Sequence, residues 1–132
     1  MSEPFILINS FEMKESKLED LRQFLGEFLT VVESIEPRLL ALNAYVNEDD
    51  TEVTFVQVHP DAASLEHHKR VAHEHTRRSR QFLGSITSIQ VYGAPNDVIL
   101  RRARLHARLG ISVTVKPEHL DGFTRLPATP AA

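Results

Sequence analysis

The sequence predicts an α+β domain of the ferredoxin-like, split βαβ kind, an antiparallel sheet with its helices on one face. Two observations carry this reading. Four short β-prone runs, at residues 5–13, 39–47, 52–59 and 87–92, alternate with two helical patterns, at 16–35 and 61–82, in the order β-α-β-β-α-β. The strands are also apolar on both faces, Ile6 and Ile8 against Leu7 and Phe11, Val56 and Val58 against Val53 and Phe55, so the face away from the helices needs a cover. A homodimer that stacks sheet on sheet supplies it most simply.

Each element has its own signal. The first run, nine residues rich in Ile, Leu and Phe, is too short for a good helix and well sized for a strand. Ser16-Lys17-Leu18-Glu19 reads as a capping box, and the stripe Leu18, Leu21, Leu25, Phe28, Val32, Ile35, widened by Phe24, Leu29 and Val31, continues it to a stop at Pro37. The polar stretch Glu48-Asp49-Asp50-Thr51 is a hairpin-length connection between the second and third strands. Asp61 is the expected N-cap of the second helix and Gly84 its expected stop. An appended helix over residues 98–109, with Asn96 as N-cap and Gly110 at the C′ position, leads into a fifth strand at 111–115, which could pair with its own sheet edge or with a partner's. One domain over residues 1–126 is expected, with a core at 4–93, an extension at 94–126 and a loose tail at 127–132.

Composition narrows the chemistry. Of 132 residues, 42% are hydrophobic and 25% charged, too apolar for a chain whose main state is disorder. A formal charge of -3 gives no field that would gather nucleic acid or an anionic membrane, and the basic stretches Arg77-Arg78-Ser79-Arg80 and Arg101 to Arg108 lack the interleaved aromatics of a nucleic-acid surface. Arg101, Arg104 and Arg108 share a helical face that could neutralise an anionic ligand, meet the acidic first helix of a partner, or lie solvated and salt-bridged. The absence of cysteine excludes disulfides, thiolate metal sites and a catalytic thiol. With no basic, apolar leader and no membrane-length apolar run, a cytoplasmic protein is expected.

Histidine is the unusual residue. Four of seven fall in the second helical pattern, and the stripe Leu65, His68, Ala72, His75, Ser79, Phe82 turns His68 and His75 toward the sheet. An imidazole in a half-dry pocket can take a substrate proton at neutral pH; the alternative is a pair of core-edge histidines without chemistry. His68 and His75 stand two helical turns apart, and no His pair in this helix has the i, i+4 spacing of helical zinc ligands, so no metal site is expected, although His59 could converge on the helix from the preceding strand. Asn9, Asn43 and Gln57 are amides inside apolar strands and need partners wherever they are buried.

The run Phe5-Ile6-Leu7-Ile8-Asn9-Ser10-Phe11, the step Glu36-Pro37-Arg38-Leu39-Leu40 and the stretch from Phe55 through His59-Pro60-Asp61-Ala62-Ala63-Ser64 resemble the antibiotic biosynthesis monooxygenase family over about residues 4–93. The resemblance implies a dimeric α/β barrel with a pocket between sheet and helices in each protomer. It also implies oxidation of a small aromatic or quinol-like substrate by molecular oxygen without metal, flavin or other cofactor. In that reading His68 or His75 is the base, and Asn9, Tyr45, Tyr92 and His59 bind or orient the substrate. Ala72-His73-Glu74-His75 is similar to the stretch that carries the axial ligand in haem-degrading relatives, which makes His73 the candidate of a haem alternative. A non-catalytic dimeric binding or structural module is the remaining alternative.

Overall fold

The computed structural model describes residues 3–125; the expected tail at 127–132 lies outside them. Its elements are β1 (Phe5–Met13), α1 (Leu18–Ile35), β2 (Ala41–Val46), β3 (Glu52–His59), α2 (Ala62–Val71), α3 (His73–Ser79), β4 (Leu83–Tyr92), α4 (Asp97–Arg108) and β5 (Ser112–Lys116). The strands form one sheet in the order β2-β3-β1-β4-β5, antiparallel except for the parallel β4–β5 pair. The first four strands thus have the ferredoxin-like arrangement, and the fifth pairs with the edge of its own sheet.

Period-two alternation sorts the sheet into two faces. Phe5, Leu7, Asn9 and Phe11 of β1 stand beside Val53, Phe55, Gln57 and His59 of β3 and Ile89 and Val91 of β4. All the helices pack on this side. Leu65 of α2 and Ile99 of α4 join Phe5, Leu7, Ile89 and Val91 in one core cluster, while Leu21, Phe24, Phe28 and Val32 of α1 join Val53, Ala72 and Leu83 in a second. The opposite face presents Ile6, Ile8, Val56, Val58, Asn43, Tyr45, Gln90 and Tyr92, and no helix among the described residues covers it.

Four expectations are corrected. Ser16 does not cap α1: it sits at φ 62°, in a turn closed by the Lys17 N–H to the Lys14 carbonyl, and Lys17 takes the N-cap position without a side-chain bond. The second helix is two, interrupted at Ala72, although the Thr76 N–H still reaches the Ala72 carbonyl at 2.8 Å. Gly84 lies inside β4, which begins at Leu83 and is irregular where it passes Phe11 and Met13. On α1 the buried line runs Leu21, Phe24, Phe28, Val32, and Ile35 is 48% exposed. Asp61 and Asn96 cap α2 and α4 as expected, accepting from the Ser64 and Ile99 N–H groups at 2.9 and 3.0 Å.

Candidate functional site

The step from α1 to β2 and the turn from β3 to α2 come together at one end of the helix layer, and their polar residues join into a network. Glu36 follows the last turn of α1, its N–H bonded to the Val32 carbonyl, and Pro37 ends the helix there, so the carboxylate is held at the α1 terminus and buried. Arg38 reaches Asp61 at 2.5 Å; the other oxygen of Asp61 starts α2. That cap fixes the azimuth of α2 and brings His68, two helical turns later on the inner face, onto Glu36. His68 Nδ1 donates to Glu36 Oε2 at 2.8 Å and faces Oε1 at 3.0 Å, with both side chains almost wholly buried.

In the neutral imidazole this carboxylate fixes the tautomer, with the proton on Nδ1 and the lone pair on Nε2. Among the described residues Nε2 has no hydrogen-bond partner, and the ring forms part of the wall of a cavity of about 100 Å3. His75, Asn9, Phe24, Phe28 and Phe55 line the same cavity. His75 is half-buried, its ring stacked on Phe28 at 5.1 Å between centroids. Asn9 Oδ1 is buried without a hydrogen-bond partner, an arrangement that costs free energy unless a ligand or water donates to it.

His59 is fully buried and committed to structure. Its Nε2 lies 3.0 Å from Gln57 Oε1 and its Nδ1 2.8 Å from Ser64 Oγ, so the ring donates to the amide and accepts from the hydroxyl. Burial, and then the nearby His68, push its pKa down to about 4. Both ring nitrogens are thereby spent on protein partners. Gln57 has its partner in the same bond, and Asn43 is exposed on the open face.

The remaining expected site residues lie elsewhere. Tyr45 pairs opposite Thr54 on the open face and is 61% exposed; Tyr92 is on that face too, its hydroxyl donating to Gln90 Oε1 at 2.6 Å. The sheet itself separates both from His68. His73, just past the helix break, is exposed and lines a different groove, with Glu66, Lys69, Arg70 and Arg102. The only apolar side chains among that groove's described walls are Val98 and Ile99, which does not fit the two apolar walls a porphyrin needs. Among the described residues no three His, Asp or Glu side chains converge closely enough to hold a metal ion.

The structure thus unites His68, His75 and Asn9 and adds Glu36, which sequence reasoning missed. The pair is formed across 32 residues, and the only local hint of Glu36 is its place immediately before Pro37 in the step that carries the resemblance.

No family model matches the sequence, and no curated protein matches it. Solved structures match the fold. MupZ from Pseudomonas fluorescens superposes with a TM-score of 0.71 at 19% identity, over 94% of this chain and 96% of its own, a likeness that has to include α4 and β5. A "putative monooxygenase" from Fusobacterium nucleatum gives 0.61 at 18% identity over 68% of this chain and 43% of that one. A "putative antibiotic biosynthesis monooxygenase" from Bacteroides thetaiotaomicron gives 0.53 at 19% identity over 64% and 83%. At such identities these likenesses establish a shared fold, and the fold is the one the sequence resemblance implies.

Proposed function

We propose that this chain is a divergent antibiotic biosynthesis monooxygenase that oxidises a small, single-ring phenol or hydroquinol with molecular oxygen and no cofactor. The observation that carries the reading is the buried Glu36–His68 pair with a free Nε2 on an apolar cavity. A ligand hydroxyl at Nε2 loses its proton there, and the resulting imidazolium stays paired with the Glu36 carboxylate. Asn9 and His75 orient the ring, and Phe24, Phe28 and Phe55 keep water away from the anion. The phenolate is then electron-rich enough to reduce oxygen itself. For a hydroquinol the balance closes within the substrate: one oxygen atom enters the ring to give a hydroxyquinone, and the other leaves as water with two substrate hydrogens.

The size of the cavity favours one ring over a fused system, and it also fits the non-catalytic alternative, a binding or structural module whose pocket is largely filled by side chains, since ligand pockets usually enclose at least about 300 Å3. A second copy stacked on the open sheet face belongs to either reading. Oxygen uptake with a panel of substituted hydroquinols separates them. Catalysis predicts uptake that falls about a hundredfold in His68→Gln. Saturable ligand binding with equal, background uptake in wild type and His68→Gln would leave the binding module.

A further inference from the structure

A second space opens on the other side of Asn9, between α2–α3 and α4, with a volume of about 700 Å3. Its floor is apolar: Leu7, Leu65, Ile89, Val91, Ile99 and Ala103. Its rim carries the cations Lys14, Lys69, Arg80 and Arg102 with His106 beside them, and no acidic side chain stands among its described walls; Glu66 lines the adjoining His73 groove, which shares Lys69, Arg80 and Arg102. None of these lysines and arginines lies within salt-bridge distance of a carboxylate among the described residues, whereas Arg22, Arg38 and Arg77 all do. Unpaired cations gathered over a greasy floor are not how a chain of net charge -3 lowers its own electrostatic energy.

From this juxtaposition we infer that the groove binds an amphipathic carboxylate, its hydrocarbon body on the floor and its carboxylate between Lys69 and Arg102. The site does not depend on the reading of the His68 cavity. Two details agree with it. The Lys69 pKa is lowered to about 8, first by burial and then by Arg102, with Glu66 acting weakly the other way; a bound carboxylate would offset both penalties. His106 and Lys14 spend part of their donor capacity on the Arg102 and Arg80 carbonyls at 2.7 Å each, which ties these two side chains to α4 and to the end of α3. Floor and rim both draw on α4, so the site exists only because the chain carries the segment beyond β4.

Isothermal titration with dodecanoate, kept below its micellar concentration, tests the inference against dodecan-1-ol and dodecyltrimethylammonium. The expected result is saturable binding of one dodecanoate per chain, at least tenfold tighter than either control, and at least tenfold weaker in the double variant Lys69→Glu, Arg102→Glu with an unchanged circular dichroism spectrum. If that variant fails to fold, Arg102→Gln, at an exposed position, carries the comparison with a threefold or greater loss. Absence of saturable binding, equal affinity for the three probes, or affinity unchanged in the folded variant would overturn it. A loss of hydroquinol oxidation would not bear on this site, nor would failure here bear on that reaction.

Discussion

Glu36 and His68 show how a single buried bond decides what a residue can do. The same imidazole without a carboxylate on Nδ1 could flip its tautomer and present a proton instead of a lone pair to the cavity. Glu36→Gln keeps the shape but can offer either an oxygen or an N–H to Nδ1, so it should lower oxygen uptake at least about tenfold while costing on the order of 1–2 kcal/mol of stability in urea unfolding. Retained uptake would reduce Glu36 to a packing role. His59 carries the opposite lesson. Its pKa in the fold, about 4, lies below the ordinary value of 6.5, so between these pH values the unfolded chain binds a proton that the folded chain refuses. The stability it lends is complete above about pH 6.5 and is lost as pH falls toward 4, a contribution on the order of 3 kcal/mol. Urea midpoints measured from pH 7 to 4.5 should therefore fall less steeply in His59→Gln than in the wild type; parallel curves would show that His59 does not drive the acid limb.

At the scale of elements, the turn after β4 leaves no room for a side chain. Gly93 holds φ at +108°, its N–H bonded to the Lys116 carbonyl, and a Cβ there would come within 2.8 Å of the Pro4 carbonyl oxygen. Gly93→Ala is expected to cost about 1–3 kcal/mol, because neither backbone segment can yield without breaking the β1–β4 or β4–β5 pairing. An unchanged melting temperature would contradict this. Elements such as β1 and β3 were legible to the residue, since an unbroken β-prone run bounded by polar turns leaves few alternatives. The break at Ala72 was not: residues 61–82 keep one helical period throughout, and the interruption shows only in the backbone, where Ala72 at φ -90°, ψ 3° ends α2 and precedes α3. Ser16 misled for a related reason. A capping box needs the Ser backbone extended, and the turn that lets β1 hand over to α1 puts it in the left-handed region. In the site, the His68 stripe was readable from spacing, whereas the side of the sheet that Tyr45 occupies depends on the β2–β3 register, set by a hairpin in which Asn47 Oδ1 accepts from the Thr51 and Glu52 N–H groups. Neither Tyr45 nor Glu36 could be assigned its neighbours without that tertiary information.

For the molecule as a whole, the open face is the largest feature a single copy leaves unresolved. Ile6, Ile8, Val56 and Val58 form an apolar patch on a sheet whose other side packs against the helices. Sedimentation velocity at micromolar concentration should find a dimer, and Ile8→Lys with Val56→Lys should yield single copies that remain folded; a wild type that sediments as one copy would remove the stacked-sheet assembly. No helix among the described residues is long and apolar enough to cross a membrane, so membrane insertion through such a helix does not offer that face an alternative cover. Both cavities lie on the helix side, and Asn9 and Phe11 of the central strand, with Thr76, Ser79 and Leu83, line both. The reading of the smaller one rests on proton transfer to His68 Nε2. That step can be watched without oxygen by binding 4-nitrophenol, a single-ring phenol whose anion is yellow, at a pH near its own pKa. Wild-type protein should raise the phenolate absorbance on binding, and His68→Gln should bind the phenol without that rise; an identical absorbance change in the two proteins would contradict the assignment of His68 as the base.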